Sequence, residues 1–283
     1  MVLKTGDTIG IIALSGDCDR NKVVQSKSFF ENLGYNVKLS KNIYSHNRYL
    51  AGSDEDKLQE LEKFFLDDDI KLILCARGGY GAIRLVNNIN YNIIKSHPKP
   101  FCGYSDVTAL LLMIYKKTNV ITYHSPMACT DFTGNNKLLN NFLDVINNKT
   151  IRLKAKKVYK EGSAKGVLWG GNLATTVSLC GLDFIPNRNF IFFAEDINEP
   201  VYKIDKMFQQ LINIKKFTQY CKGIILGDFI GIDNEIWLEE YFNELSDKLN
   251  IPLLGGFKIT HKEDKITLPV GKLSEIRIDE LCI

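Results

Sequence analysis

The hexapeptide Phe101-Cys102-Gly103-Tyr104-Ser105-Asp106 brings an apolar run to an abrupt Gly-X-Ser turn, and a helical stretch begins at Val107. A serine on so sharp a strand-to-helix turn would stand above the sheet edge, beside backbone N–H groups that the start of the helix leaves unpaired. A hydroxyl to attack and N–H donors to hold the resulting oxyanion are the parts needed for acyl transfer. Val107 occupies the place of the second glycine in the fuller G-x-S-x-G pattern, and Gly-X-Ser also serves ordinary turns. Cys102 is a rival nucleophile on paper, but it falls inside the apolar run and reads as core.

A serine nucleophile needs a base, and the base needs an orienting partner. The chain has four histidines. His46 and His97 lie in polar stretches that read as surface loops, and His124, in Tyr123-His124-Ser125-Pro126-Met127, suits either a site or a structural position. His261 lies in a loop between Gly255-Gly256-Phe257 and the run Ile266–Leu268, where exposure suits a proton shuttle. For the carboxylate, Glu195 directly follows the apolar run Phe190–Ala194 and so emerges at the carboxyl end of a strand, with Asp196 facing the opposite side. The same acidic pair reads equally as negative charge ahead of a helix that starts near Pro200.

A second unusual loop, Ala76-Arg77-Gly78-Gly79-Tyr80-Gly81, follows the run ending at Cys75. Glycines there allow positive φ and close backbone approach, which suits an oxyanion donor or a cradle for a substrate backbone, or simply a tight turn. A phosphate loop fits less well: Arg84 stands where a dinucleotide fingerprint has a small residue, and no Gly-Lys-Ser/Thr follows.

Short β-rich runs alternate with helical stripes through the first half. Thr8–Leu14 is followed by a helix over residues 21–33, a strand near 35–39, and a stripe of Leu58, Leu61, Phe64 and Phe65. Ile70–Cys75, a helix over 82–88, the elbow strand 100–103, its helix 107–117 and a strand at 120–123 complete the series. This alternation predicts an α/β domain with a parallel sheet flanked by helices, in which function collects at the carboxyl ends of the strands. The polar stretch Thr133–Asn136, a helix over 137–147 and the alternating segment 151–156 suggest that residues 1–135 form this domain, that 136–160 link it, and that 161–283 form a smaller α/β or α+β domain.

The bulk composition describes a soluble globular chain: 283 residues, 45% hydrophobic and 24% charged. A net charge of +3 is too small to suggest nucleic acid or a membrane surface as partner. No leader or membrane span is legible, so the expected location is the cytoplasm. Seven cysteines with no C-x-x-C pair indicate neither a disulfide framework nor a zinc site, and no metal or other cofactor is expected.

Taken together, these residues resemble the LD-carboxypeptidase family of serine peptidases, which includes the microcin C immunity peptidases. The resemblance runs through Gly6-Asp7-Thr8-Ile9, Ala76–Gly81, Gly103–Asp106, Tyr123–Met127, Gly170-Gly171-Asn172-Leu173, Glu195-Asp196 with Tyr202 and Asp205, and Leu268-Pro269-Val270-Gly271 after His261. It implies a Ser105, His261 and Glu195 triad split between two domains, with the backbone N–H groups of Asp106 and Gly79 as the oxyanion hole. It also implies a homodimer that removes the terminal D-alanine from murein tetrapeptides. The alternatives are cleavage of aminoacyl-nucleotide conjugates, as in the immunity branch, or a silent peptide-binding protein.

A carboxypeptidase needs a cation for the free carboxylate, and Arg77 is the candidate, with a structural ion pair as its alternative role. Trp169 could stack on a ligand, although a lone Trp more often serves core or interface packing, and Asn172 is a third candidate substrate contact. The chain departs from the family pattern at Ala13-Leu14-Ser15, where a proline is usual, at Ser125, where a glycine usually follows the histidine, and at Lys258-Ile259-Thr260, where a glycine usually precedes His261.

Overall fold

The computed structural model describes residues 2–134 and 136–283, so Met1 and Asn135, the two ends of the expected first domain, lie outside the described residues. The chain forms two compact units: Met1–Lys149 with Ile266–Pro269, and Thr150–Lys265 with Val270–Ile283.

In the first unit, strands β1 (Thr8–Ile12), β2 (Asn36–Leu39), β3 (Ile70–Cys75), β4 (Phe101–Gly103) and β5 (Thr122–His124) pair in parallel in the order β2-β1-β3-β4-β5. Leu268–Val270 adds a sixth strand beside β5. The apolar runs read from the sequence are these strands, and β3 and β4 are buried almost throughout, as strands covered on both faces must be. Connecting helices are set by local chemistry. Helix α1 (Arg20–Asn32) starts at Asp19, whose side chain accepts from Lys22 N, and Gly34 follows its end at φ 85°. Helix α2 (Asp54–Leu66) is capped by Ser53 and carries three acidic residues in its first turn.

The chain leaves β1 for β2 on one side and returns to β3 on the other, so the carboxyl ends of β1 and β3 form a topological switch point, where open parallel sheets bind ligands. The loop 76–81 leaves β3 at that point.

Two expectations change here. The helix expected over 82–88 is a single 3-10 turn, Ala82–Arg84, and the helix forms later as α3 (Tyr91–Ser96). The expected linker, 136–160, divides between the two units. After a helical turn at Asn136–Leu138 come the buried residues of α6 (Leu139–Ile146), which follows α4 (Thr108–Thr118) and α5 (Ala128–Asp131) in the first unit. Residues 152–160 then become strands β6 (Arg152–Lys154) and β7 (Lys157–Lys160) of the second unit. The polar alternation of this segment is the mark of half-exposed edge strands.

The second unit continues with β8 (Gly162–Asn172), β9 (Phe190–Ile197), β10 (Cys221–Ile230) and β11 (Leu253–Gly255), which run parallel. Leu268–Val270, the strand already placed beside β5, is β12; β13 (Leu273–Ile278) and β14 (Glu280–Cys282) complete the order β6-β14-β13-β8-β9-β10-β11-β7. The two outermost strands, β6 and β7, are joined by Ala155 and Lys156 alone. Two residues reach only about 10 Å, so the sheet must roll until its edges nearly meet. Gly223 on β10 reflects the roll: a Cβ there would lie 2.6 Å from Ile276 Cδ1 on β13, three strands away.

Gly170 on β8 sits at φ 146°, and a Cβ there would fall 1.9 Å from Phe193 O on β9. Gly170→Ala should therefore destabilise the protein by about 3 kcal/mol or more, combining strain with overpacking; urea unfolding of the parent and the variant measures the difference.

Candidate functional site

Ser105 follows β4 at φ 61°, a left-handed backbone rarely adopted outside glycine, and begins a 3-10 turn, Ser105–Val107, that leads into α4. The turn accommodates Val107 because Gly103 leaves room for it: a Cβ at Gly103 would lie 2.8 Å from Val107 Cγ1 and 3.1 Å from Cys75 Cβ. The loop after β3 passes directly against the serine. A Cβ at Gly78 would stand 3.0 Å from Ser105 Cβ and 3.1 Å from its Oγ. Gly79 and Gly81 have φ values of 124° and 127°, which glycine alone adopts readily. Gly16 N donates to Gly78 O at 3.2 Å and fastens this loop to the one after β1.

Arg77 is exposed, and its guanidinium donates to Gly78 O at 3.2 Å and to Asp17 O at 3.1 Å. Cys102 is fully buried, and burial pushes its thiol far above the ordinary cysteine range, which leaves it inert as a nucleophile.

In the second unit, Glu195 on β9 is fully buried and lies opposite Asn172 of β8. Its Oε2 is 2.8 Å from His261 Nδ1, so Nδ1 carries the proton that it donates to the carboxylate. Glu195 Oε1 has no hydrogen-bond partner among the described residues. A buried carboxylate satisfied on one oxygen is costly unless a neighbouring positive charge uses it, and an imidazolium is such a charge.

The approach to His261 is anchored without the usual glycine. Asp228 N donates to Ile259 O at 2.9 Å, Lys262 N donates to Thr260 Oγ1 at 3.1 Å, and Lys262 Nζ lies 3.0 Å from Asp228 Oδ2. Bonds on both sides of the imidazole thus fix the backbone that aims it.

The alternative reading of the acidic pair as helix charge does not hold for Glu195. The helix α8 (Val201–Ile212), which follows α7 (Leu173–Ser178), starts after Pro200, and Val201 N donates to Asp233 Oδ1 at 2.8 Å. Asp196 does serve a helix start, that of α7: it accepts from Ala174 N at 2.8 Å, from Asn172 Nδ2 at 2.9 Å and from Ile197 N at 2.9 Å. Burial raises its carboxyl to about 6 against those three donors, and the charge of Glu195 adds to the rise.

Two candidate substrate contacts have structural partners. Trp169 is fully buried among Phe184, Phe190 and Phe192, at ring distances of 5.6, 5.0 and 5.7 Å, because its β8 position faces the core of the unit rather than a ligand. Asn172 Oδ1 caps α7 by accepting from Thr175 N at 3.0 Å while its Nδ2 holds Asp196, so its amide is engaged at both ends. Of the other histidines, His46 pairs with Asp17 on the surface, His97 Nδ1 lies 3.3 Å from Ile93 O, and His124 is buried edge-on to Tyr104. Among the described residues, no group of three or more His, Cys, Asp or Glu side chains is arranged to hold a metal ion. The sequence reading missed the side chain of Asp106, which Ser15 reaches across 91 positions with no local motif to mark it.

Comparison with known proteins matches residues 9–125 to the LD-carboxypeptidase N-terminal domain and residues 165–276 to the LD-carboxypeptidase C-terminal domain. A relative from Bacillus subtilis (strain 168), named a probable murein peptide carboxypeptidase, is 35% identical over 95% of this chain and 88% of its own. An MccF-like protein from Bacillus anthracis str. Ames superposes with a TM-score of 0.92 at 26% identity, covering 100% of this chain and 98% of that one. The muramoyltetrapeptide carboxypeptidase from Oxalobacter formigenes superposes with a TM-score of 0.88 at 26% identity, covering 97% of each chain.

Because a methyl at residue 78 would press on Ser105, Gly78→Ala should slow labelling of Ser105 by a fluorophosphonate by about tenfold, read by intact-protein mass spectrometry over time. Asp196 should titrate near pH 6 in carboxyl-detected NMR. Since its folded value lies above that of the unfolded chain, the folded state holds the extra proton between about pH 4 and pH 6. The contribution of Asp196 to stability is therefore greatest at the acidic end of that window and falls as the pH rises to 6.

Proposed function

Because the chain belongs to the LD-carboxypeptidase family, we propose that it is a serine carboxypeptidase that hydrolyses the amide bond to the terminal D-alanine of murein tetrapeptides. The observation that supports this reading most directly is the His261–Glu195 pair, in which a fully buried carboxylate holds Nδ1 at 2.8 Å. With Nδ1 so engaged, Nε2 is the nitrogen that takes a proton from a nucleophile and returns it to a leaving amine.

The proposed reaction uses the triad that the family resemblance implies. His261 deprotonates Ser105, whose oxygen attacks the carbonyl of the penultimate residue. The N–H groups of Asp106 and Gly79 receive the oxyanion, and His261 protonates the departing D-alanine amine. Water, deprotonated by His261, then attacks the acyl-enzyme, the bond to Ser105 Oγ breaks as His261 returns the proton to that oxygen, and the peptide leaves with a new carboxylate. Glu195 stays ionised throughout and stabilises the imidazolium. Arg77, exposed beside the serine loop, is the group that would receive the carboxylate of D-alanine. The family resemblance further implies a cytoplasmic homodimer, and both belong to this proposal.

Incubation with a murein tetrapeptide should release D-alanine from the parent protein. Ser105→Ala should abolish release, and Glu195→Gln should reduce kcat by about 10³- to 10⁴-fold by losing the carboxylate that fixes the imidazole. Release by Ser105→Ala at the parent rate would refute the assignment. Failure of the parent on this peptide together with cleavage of an aminoacyl-nucleotide conjugate would move the substrate to the immunity branch.

A further inference from the structure

Asp106 offers the elbow more than its backbone N–H. The residue is only 8% exposed, and a single carboxylate oxygen, Oδ2, accepts from Ser15 Oγ at 2.6 Å and from Ala82 N at 2.9 Å. Ser15 lies in the loop after β1, Ala82 ends the glycine loop after β3, and Asp106 lies in the turn after β4. One carboxylate oxygen therefore ties together the carboxyl ends of three neighbouring strands at the switch point of the sheet.

The tie spans the two backbone groups that would hold the oxyanion. Asp106 itself presents one of them, and Ala82 is three residues beyond the other, Gly79. The intervening chain contains Gly79 and Gly81, both at positive φ, so its own backbone does little to hold its shape. A second charged side chain lies behind the loop. Lys57 is fully buried, its Nζ is 2.9 Å from Asp54 Oδ1, and a Cβ at Gly81 would lie 3.3 Å from that nitrogen. Burial pushes the Asp106 carboxyl up from the ordinary aspartate range, while the two hydrogen bonds and the charge of Lys57 oppose that rise and favour the ionised form.

We propose that the Asp106 carboxylate is a positioning residue, a strut between the elbow turn and the glycine loop that sets the spacing of the Asp106 and Gly79 N–H donors. The inference rests on the reading of Ser105 as the nucleophile. An oxyanion donor is effective only within a few tenths of an ångström of its working distance, and removing one such donor costs about 10²- to 10³-fold in kcat. Any residue at position 106 other than proline retains the backbone N–H, so a substitution there reports on the carboxylate alone.

The experiment uses the full chain with Asp106→Ala, Asp106→Asn, Ser15→Ala and the Ser15→Ala/Asp106→Ala double variant. Two rates are read: D-alanine release from a murein tetrapeptide, resolved into kcat and KM, and phosphonylation of Ser105 by a fluorophosphonate, which needs the nucleophile and the oxyanion donors but no particular acyl group. Asp106→Ala should lower kcat and the phosphonylation rate together by about 10²-fold with KM within threefold of the parent. Ser15→Ala should lower both by about fivefold, Asp106→Asn should fall between these two, and the double variant should be no worse than Asp106→Ala, because both changes remove the same tie.

Rates within twofold of the parent for Asp106→Ala, a loss confined to KM, or losses that multiply in the double variant would each overturn the proposal. If Asp106→Ala does not fold, Ser15→Ala decides, and unchanged rates in that variant overturn the proposal. If the parent releases no D-alanine, the substrate assignment fails, while the phosphonylation series still decides the role of Asp106.

Discussion

The left-handed backbone of Ser105 is the constraint around which the first unit is organised. A residue with a Cβ is held at φ 61° only where its surroundings prescribe it. Here they do so from three directions: Gly103 gives up its side chain so that Val107 can close the turn, Gly78 gives up its own so that the neighbouring loop can pass the serine, and the buried strands β3 and β4 hold both in register. The strain places Ser105 at the end of a strand and at the head of a 3-10 turn, the position that a nucleophile elbow gives its serine.

The second unit solves a different problem, that of burying a carboxylate with a partner. Glu195 is fully buried on β9, and its oxygen lies within hydrogen-bond distance of His261 Nδ1. Its neighbour Asp196 faces the other way and accepts from Asn172 and Ala174 at a helix start and from Ile197 N on its own strand. Two adjacent acids on one strand thus have unrelated tasks, separated by the alternation of side chains along the strand.

Much of this was legible in the residues, and the limits have physical causes. Apolar runs marked β1, β3, β4 and β9, and the stripe of Leu58, Leu61, Phe64 and Phe65 marked α2, because these signals are local. The Gly-X-Ser turn and the strand-end position of Glu195 were legible for the same reason. The glycine-rich stretch around Trp169 resembles a loop in sequence, whereas here its glycines allow neighbouring strands to crowd together, as at Gly170 against Phe193. The supposed linker failed for a similar reason: polar alternation marks an edge strand as readily as a connection. Least legible was the Ser15–Asp106–Ala82 tie, since contacts across 91 and 24 positions leave no trace in spacing or composition.

The return of Ile266–Pro269 to the first unit has a consequence for biosynthesis. During translation β5 is complete at His124, but its neighbour β12 begins only at Leu268, 144 residues later. At about 5–20 residues per second that interval is on the order of ten seconds, during which β5 presents an open edge. The nascent first unit cannot complete its sheet until nearly all of the second has left the ribosome, so the chain is exposed to mispairing at β5 for about half of its synthesis, and a ribosome stalled within the second unit would leave that edge uncovered.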